Sequence, residues 1–170
     1  MEIINLGLMD IEKKDLLKSV IPQAIKEVFD VRVNTLDIST TFLKNDYLLK
    51  EEIYDRFKKY SSALILTDRP VRKIARDYPY LITDFVKGVS IEDKIGFVST
   101  KNLNDDINNI IVLSLQGIGQ MFGLSYHNRK NKQNKEYCFM REKPGKESWE
   151  EYSSKTSFYP CNKCENFLNK

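Results

Sequence analysis

The chain has 170 residues, 41% of them hydrophobic, and its 27 lysines and arginines against 24 acids leave a net charge of +3. That size and apolar content suit one domain with a real core, and the near balance of charge gives no case for nucleic acid or an anionic membrane as partner. No apolar run approaches the roughly 20 residues needed to span a bilayer, and the opening MEIINLGLMDIEKK lacks the basic-then-apolar order of a signal peptide, so a soluble cytoplasmic protein is expected.

Residues 3–8 (IINLGL) read as a short buried strand. Asp10 is a candidate cap for a helix running to about Phe29, with Leu16, Leu17, Val20, Ile21, Ala24, Ile25, Val28 and Phe29 at helical spacing. Pro22 is expected to kink or divide that helix. Residues 31–38 alternate as a strand does, Lys50 to Tyr60 form a second helix, and Ala63–Thr67 (ALILT) is a central buried strand closed by DRP. Two further strands are expected at 81–87 and 94–100, around a turn at Gly88 and Ser90. A third helix, capped by Asp105 or Asp106, carries Ile107, Ile110, Ile111, Leu115, Ile118 and Phe122 on one stripe and stops at Gly123. The order strand, helix, strand, helix, three strands, helix predicts a three-layer α/β fold around a mixed, mostly parallel sheet with one antiparallel strand.

The third helix ends in SLQGIGQMFGLSYH, an odd segment. Gln116 and Gln120 lie one turn apart with Gly117 and Gly119 between them, and each glycine inside a helix costs about 1 kcal/mol relative to alanine. Beyond it the texture changes. Residues 125–170 are polar, show little apolar periodicity and have too few core residues to hold themselves together, so a small irregular subdomain needing a staple is expected after a 1–124 subdomain, the two forming one compact domain. The staple is in the sequence. The only histidine and all three cysteines form the series H-x10-C-x22-C-x2-C, from His127 through Cys138 to Cys161 and Cys164. Three thiolates and one imidazole are the ligand complement of a closed structural zinc site. The alternatives are a redox pair in the C-x-x-C, unligated thiols, and a histidine that is only a surface residue.

With these residues in view, the chain resembles the archaemetzincins, a family of metzincin-type zinc peptidases. Metzincins carry H-E-x-x-H-x-x-G-x-x-H, with two histidines on one helix face and a glutamate as general base. Gly119, Phe122, Gly123 and Leu124 match the framework of the archaemetzincin version, Cys138-Phe139-Met140 matches its C-x-M, and Cys161 and Cys164 match its distal C-x-x-C. More faintly, ALILTDRPV, DFVKG and FVSTKNL resemble strands preceding the active-site helix. The resemblance implies a metzincin-like fold, a structural zinc on His127, Cys138, Cys161 and Cys164, with His127 standing where the family has a cysteine, and Met140 at the Met-turn.

The departures lie in the chemistry. The three catalytic zinc ligands are replaced by Gln116, Gln120 and Tyr126, and the general base by Gly117. A neutral amide oxygen is a poor zinc ligand beside imidazole, and a tyrosine must lose a proton whose reference pKa is about 10. Without a metal, no bound water is brought to a pKa of about 7. The expected protein is therefore a pseudo-metallopeptidase with one structural zinc, no catalytic zinc, and an extended peptide as candidate partner at an edge strand within 81–88. Two other readings stay open. An enzyme could use a new carboxylate centre drawn from Asp68, Asp84, Glu92 or Asp93, though turns and caps are the simpler roles for these. An adaptor could contact nucleic acid or protein through Arg129, Lys130, Lys132 and Lys135, a run that is more often a solvated insertion.

Overall fold

The structure, a computed structural model, describes residues 2–39, 46–75, 78–85, 89–92, 94–101, 103, 106–132 and 135–169. Strand β1 (Glu2–Met9) is followed by helix α1 (Lys14–Val28) and strand β2 (Val31–Ile38). The short β3 (Leu48–Leu49) leads into α2 (Lys50–Phe57), then β4 (Ala63–Thr67), the antiparallel pair β5 (Val71–Ala75) and β6 (Tyr78–Phe85), and strands β7 (Val89–Glu92) and β8 (Ile95–Ser99). The central helix α3 (Ile107–Met121) and two short helices, α4 (Trp149–Lys155) and α5 (Asn162–Leu168), complete the described elements.

The main sheet has the order β2-β1-β4-β8-β7, parallel except for β7 against β8. Strand alternation divides its side chains between two cores. Ile4, Leu6, Leu8, Leu64, Leu66 and Val98 face α1 and α3, while Met9, Ile65, Ile95 and Phe97 face α2 and a smaller sheet, β3-β5-β6. This is the expected three-layer mixed architecture. Among the described residues no helix is long and apolar enough to cross a membrane.

The differences from expectation have local causes. Asp10 does not cap α1. It has a left-handed φ of 46° and pairs with Arg69, and α1 begins four residues later at Lys14, behind Lys13, also left-handed at 51°. Pro22 does not divide α1, whose Leu17, Ile21 and Ile25 remain on one buried stripe. Helix α2 stops at Phe57, a turn short of Tyr60. Residues 81–85 belong to β6 of the smaller sheet, and the antiparallel edge of the main sheet is β7, which contains Ser90. Residues 86–88, with Gly88, and also Asp93 and Asp105, lie outside the described residues. Asp106 caps α3, its carboxylate accepting from the amide of Asn108 at 2.9 Å.

Helix α3 is apolar nearly all round and is buried on nearly all sides. Such a helix needs cover on both faces. The sheet and α1 supply one cover, and the segment after residue 124 supplies the other. Phe139, Met140 and the three cysteines belong to the same buried cluster as α1, α3 and the sheet. Phe29 stacks on Phe122 and meets Phe139 edge-on, which ties the ends of α1 and α3 to this segment. Helix α4 adds a second tie, with the Ser153 hydroxyl donating to the Asp106 carboxylate at 2.8 Å.

Candidate metal centre

The two glycines of the α3 framework have separate reasons. The chain leaves α3 through Gly123, at φ 89°, with Gly123 N–H donating to the Gln120 carbonyl and Leu124 N–H to that of Gly119. This pair of bonds is the Schellman ending, which favours glycine at the left-handed residue. Gly119 is a point of close approach. A Cβ there would stand 2.7 Å from Met140 Sδ and 3.2 Å from carbons of Leu124 and Phe139. Gly119→Ala is accordingly expected to destabilise by about 1–3 kcal/mol through overpacking, measurable by urea denaturation.

That close approach places Met140 beneath the helix and brings the turn around it to Gln116. The Gln116 amide, only 2% exposed, directs Nε2 to the carbonyls of Phe139 and Arg141, each at 2.7 Å, and to the Tyr152 hydroxyl at 2.6 Å. Tyr152 in turn donates to the Arg141 carbonyl at 2.7 Å. Gln120, one turn on, hydrogen-bonds to Tyr126, a residue 40% exposed whose phenol is held above its ordinary value mainly by desolvation. Gly117 is buried within the same helix. The structure thus joins Gln116 to the Met140 turn and Gln120 to Tyr126.

Tyr152 is a member of this network that the sequence reading missed. It is fully buried, and desolvation pushes its phenol well above the ordinary tyrosine range. A folded-state pKa raised in this way contributes stability that is present below the unfolded value of about 10 and is lost as pH rises beyond it. In an alkaline titration followed by tyrosinate absorbance, Tyr152 is expected to ionise last and together with unfolding. Ionisation at the ordinary tyrosine pKa with the fold intact would contradict its burial. The signal in the sequence was the cap pattern S-x-x-E at Ser148, whose hydroxyl accepts from the Glu151 amide at 3.1 Å and starts α4.

The four thiol and imidazole groups converge. The ligand atoms of His127, Cys138, Cys161 and Cys164 all lie within 4.8 Å of one another, with the three cysteines buried and the histidine half-buried. Cys138 and Cys164 Sγ are 3.7 Å apart, and His127 Nε2 lies 3.2 Å from Cys161 Sγ and 3.7 Å from Cys164 Sγ. Tetrahedral zinc with Zn–S bonds of about 2.3 Å requires sulfurs about 3.8 Å apart, so the cage has the right size. The rest of the geometry agrees. His127 Nδ1 faces the Ser125 carbonyl at 3.0 Å, which fixes the proton there and leaves Nε2 free for a metal. The Cys161 amide points at Cys138 Sγ at 3.3 Å. Cys161 and Cys164 sit at the first turn of α5, where the helix end favours negative sulfur.

Without a cation the thiols must share protons. The Cys164 thiol donates to Cys138 and, aided by the Met140 and Cys161 amides, holds it down at about 5, while the same pairing pushes Cys164 up. A dication would replace that shared proton and charge all three sulfurs. The four residues can therefore hold one structural zinc. Of the carboxylates considered as an alternative centre, Asp68 is engaged by the Glu12 amide and the Thr100 hydroxyl, which tie loops together, and the side chains of Asp84, Glu92 and Asp93 lie outside the description.

No protein-family model matches the chain, and no curated protein matches it. Solved structures do match over almost its whole length. An archaemetzincin from Methanopyrus kandleri superposes with a TM-score of 0.69 at 17% identity, over 99% of this chain and 93% of that one. An archaemetzincin from Archaeoglobus fulgidus, solved with malonate, gives 0.66 at 13% identity over 97% and 99%. A zinc-dependent peptidase from Methanocorpusculum labreanum gives 0.63 at 18% identity over 98% and 100%. At these identities the likeness is one of fold.

Proposed function

We propose that this chain, which has the archaemetzincin fold, is a pseudo-metallopeptidase: it keeps a structural zinc on His127, Cys138, Cys161 and Cys164 and does not hydrolyse peptides. The observation that carries the reading is the use made of Gln116. At the position where the resemblance expects a zinc-binding histidine, the two N–H groups of its amide are shared among the carbonyls on either side of Met140 and the Tyr152 hydroxyl. A polar brace between helix and Met-turn stands in the place of a metal. Gln120 and Tyr126 are likewise spent on each other. Gly117 has no side chain to move a proton, and general-base help is typically worth about 100-fold to 10,000-fold.

What such a protein would do is bind. The main sheet ends at β7, antiparallel to β8, and an extended peptide could add itself along that edge by main-chain hydrogen bonds. Metal analysis of purified protein tests the reading directly. One zinc per chain and no cleavage of a peptide library are expected. Two zincs per chain, or cleavage that a chelator abolishes, would favour a peptidase with a non-standard site. His127→Ala should reduce zinc content and melting temperature; unchanged zinc content would remove His127 from the ligand set.

A further inference from the structure

Beside the metal centre, where Lys130 and residues 135–137 meet α4, lies a separate open cavity of about 400 Å³. Lys130, Lys135, Tyr137, Arg141, Ser154 and Lys155 line it, and Glu136 is the one carboxylate among its lining residues. Arg141 is the unusual member. It is 5% exposed, and its guanidinium lies 4.1 Å from the Tyr137 ring centre and 5.4 Å from that of Tyr152. Nη2 pairs with the Glu147 carboxylate at 2.9 Å, whereas Nη1 is buried with no hydrogen-bond acceptor among the described residues. A buried, unpaired guanidinium N–H is a donor in want of an acceptor.

The other cations have unequal freedom. Lys155 is taken up by Glu147 and Glu151. Lys130 rests over the Tyr137 ring at 5.1 Å, and neither it nor Lys135 forms a salt bridge among the described residues. The described backbone beside them is hydrogen-bonded. The Lys135 amide donates to the Asn131 carbonyl, the Asn131 amide to the Glu136 carbonyl, and the Asn131 side chain to the Pro160 carbonyl at 3.0 Å. Lys135 itself adopts a left-handed φ of 60°, a conformation uncommon for a residue with a side chain. The positive charge of Lys130 and Lys135 therefore stands at one concavity, whose wall also carries Ser154, its hydroxyl donating to the Glu151 carbonyl at 2.9 Å.

We propose that this cavity binds the terminal phosphate of a phosphomonoester, with Lys130, Lys135 and Arg141 Nη1 as its donors. A phosphomonoester carries nearly two charges and presents three strong acceptor oxygens to one point, which suits several cationic donors lining one cavity. A nucleic-acid backbone carries one charge per phosphate and asks for a groove that tracks along the chain. The proposal is independent of the pseudo-metallopeptidase reading.

The test uses the full chain after its zinc content has been measured, so that loss of the metal centre is seen separately. Isothermal titration with inorganic phosphate and with phosphoserine should show saturable binding of both. The double variant Lys130→Ser, Lys135→Ser should weaken both by at least about tenfold, a floor set by the loss of one charge-assisted hydrogen bond, with zinc content and melting temperature unchanged. Absence of heat at millimolar ligand, or a double variant within about twofold of the parent, an energy change well under one hydrogen bond, would overturn the proposal. So would a single-stranded oligonucleotide with a 5′-hydroxyl that binds more tightly than phosphoserine, because that outcome marks a nucleic-acid surface.

Discussion

Cys138→Ser is expected to empty the metal centre and unfold the segment that covers α3. Cys138 is fully buried, touches the Cys164 sulfur and receives the Cys161 amide, so it is the best-fixed of the four groups. A serine hydroxyl stays protonated at neutral pH and is a hard, neutral donor to a borderline-soft cation. Structural zinc contributes apparent binding free energies of about 10–16 kcal/mol in small domains, against a whole-domain stability of about 5–15 kcal/mol. The zinc content should fall from one per chain to near none after dialysis against a weak chelator. The melting temperature should drop by more than about 10 °C, given about 2–4 °C per kcal/mol at this chain length. Full zinc retention with an unchanged transition would show that Cys138 is not a ligand. Chelation of the unaltered protein should give the same drop, reversed by adding zinc.

Gln116→Leu is the second large effect. Leucine fills similar space but leaves the Phe139 carbonyl without its donor and strips one partner each from Arg141 and Tyr152, all in a buried setting. The cost is expected at about 2–4 kcal/mol, the sum of lost bonds and a stranded acceptor, and a melting-temperature fall of about 5–15 °C. Zinc content should stay at one per chain, because the ligand cage is held by other residues. That separation distinguishes a brace from a metal-site residue. Gln116→His would return an imidazole that can donate only one N–H, so it should cost less than leucine and still give no hydrolysis, with Gly117 unchanged.

Much of this architecture could be read from residue spacing because long periodic segments carry their own burial pattern. The α1 stripe of Leu17, Ile21 and Ile25, the run ALILT and the α3 stripe all lie where expected. The hairpin of β5 and β6 was less legible. VRKIA offers no apolar alternation, and Pro79 within β6 speaks against a strand. The start of α1 was misplaced because a good capping residue, Asp10, is instead drawn away by Arg69, a partner distant in sequence. At the metal centre the ligands were legible because zinc restricts them to few residue types at a few spacings. Tyr152 and Arg141 were not, since their roles arise only when α4 packs on α3 and brings position 152 beside position 116.

The near-complete burial of α3 has a consequence for biosynthesis. The helix leaves the ribosome well before Cys161 and Cys164, yet the cover that hides its outer face depends on those residues finding His127 and Cys138. Until then the nascent chain displays an apolar rod, a species prone to association and to capture by chaperones. Scarcity of zinc would therefore be felt first as poor yield of soluble protein during synthesis, and a mature, loaded protein would be far less sensitive to the same scarcity. A metal at this centre would then act as a checkpoint on completion.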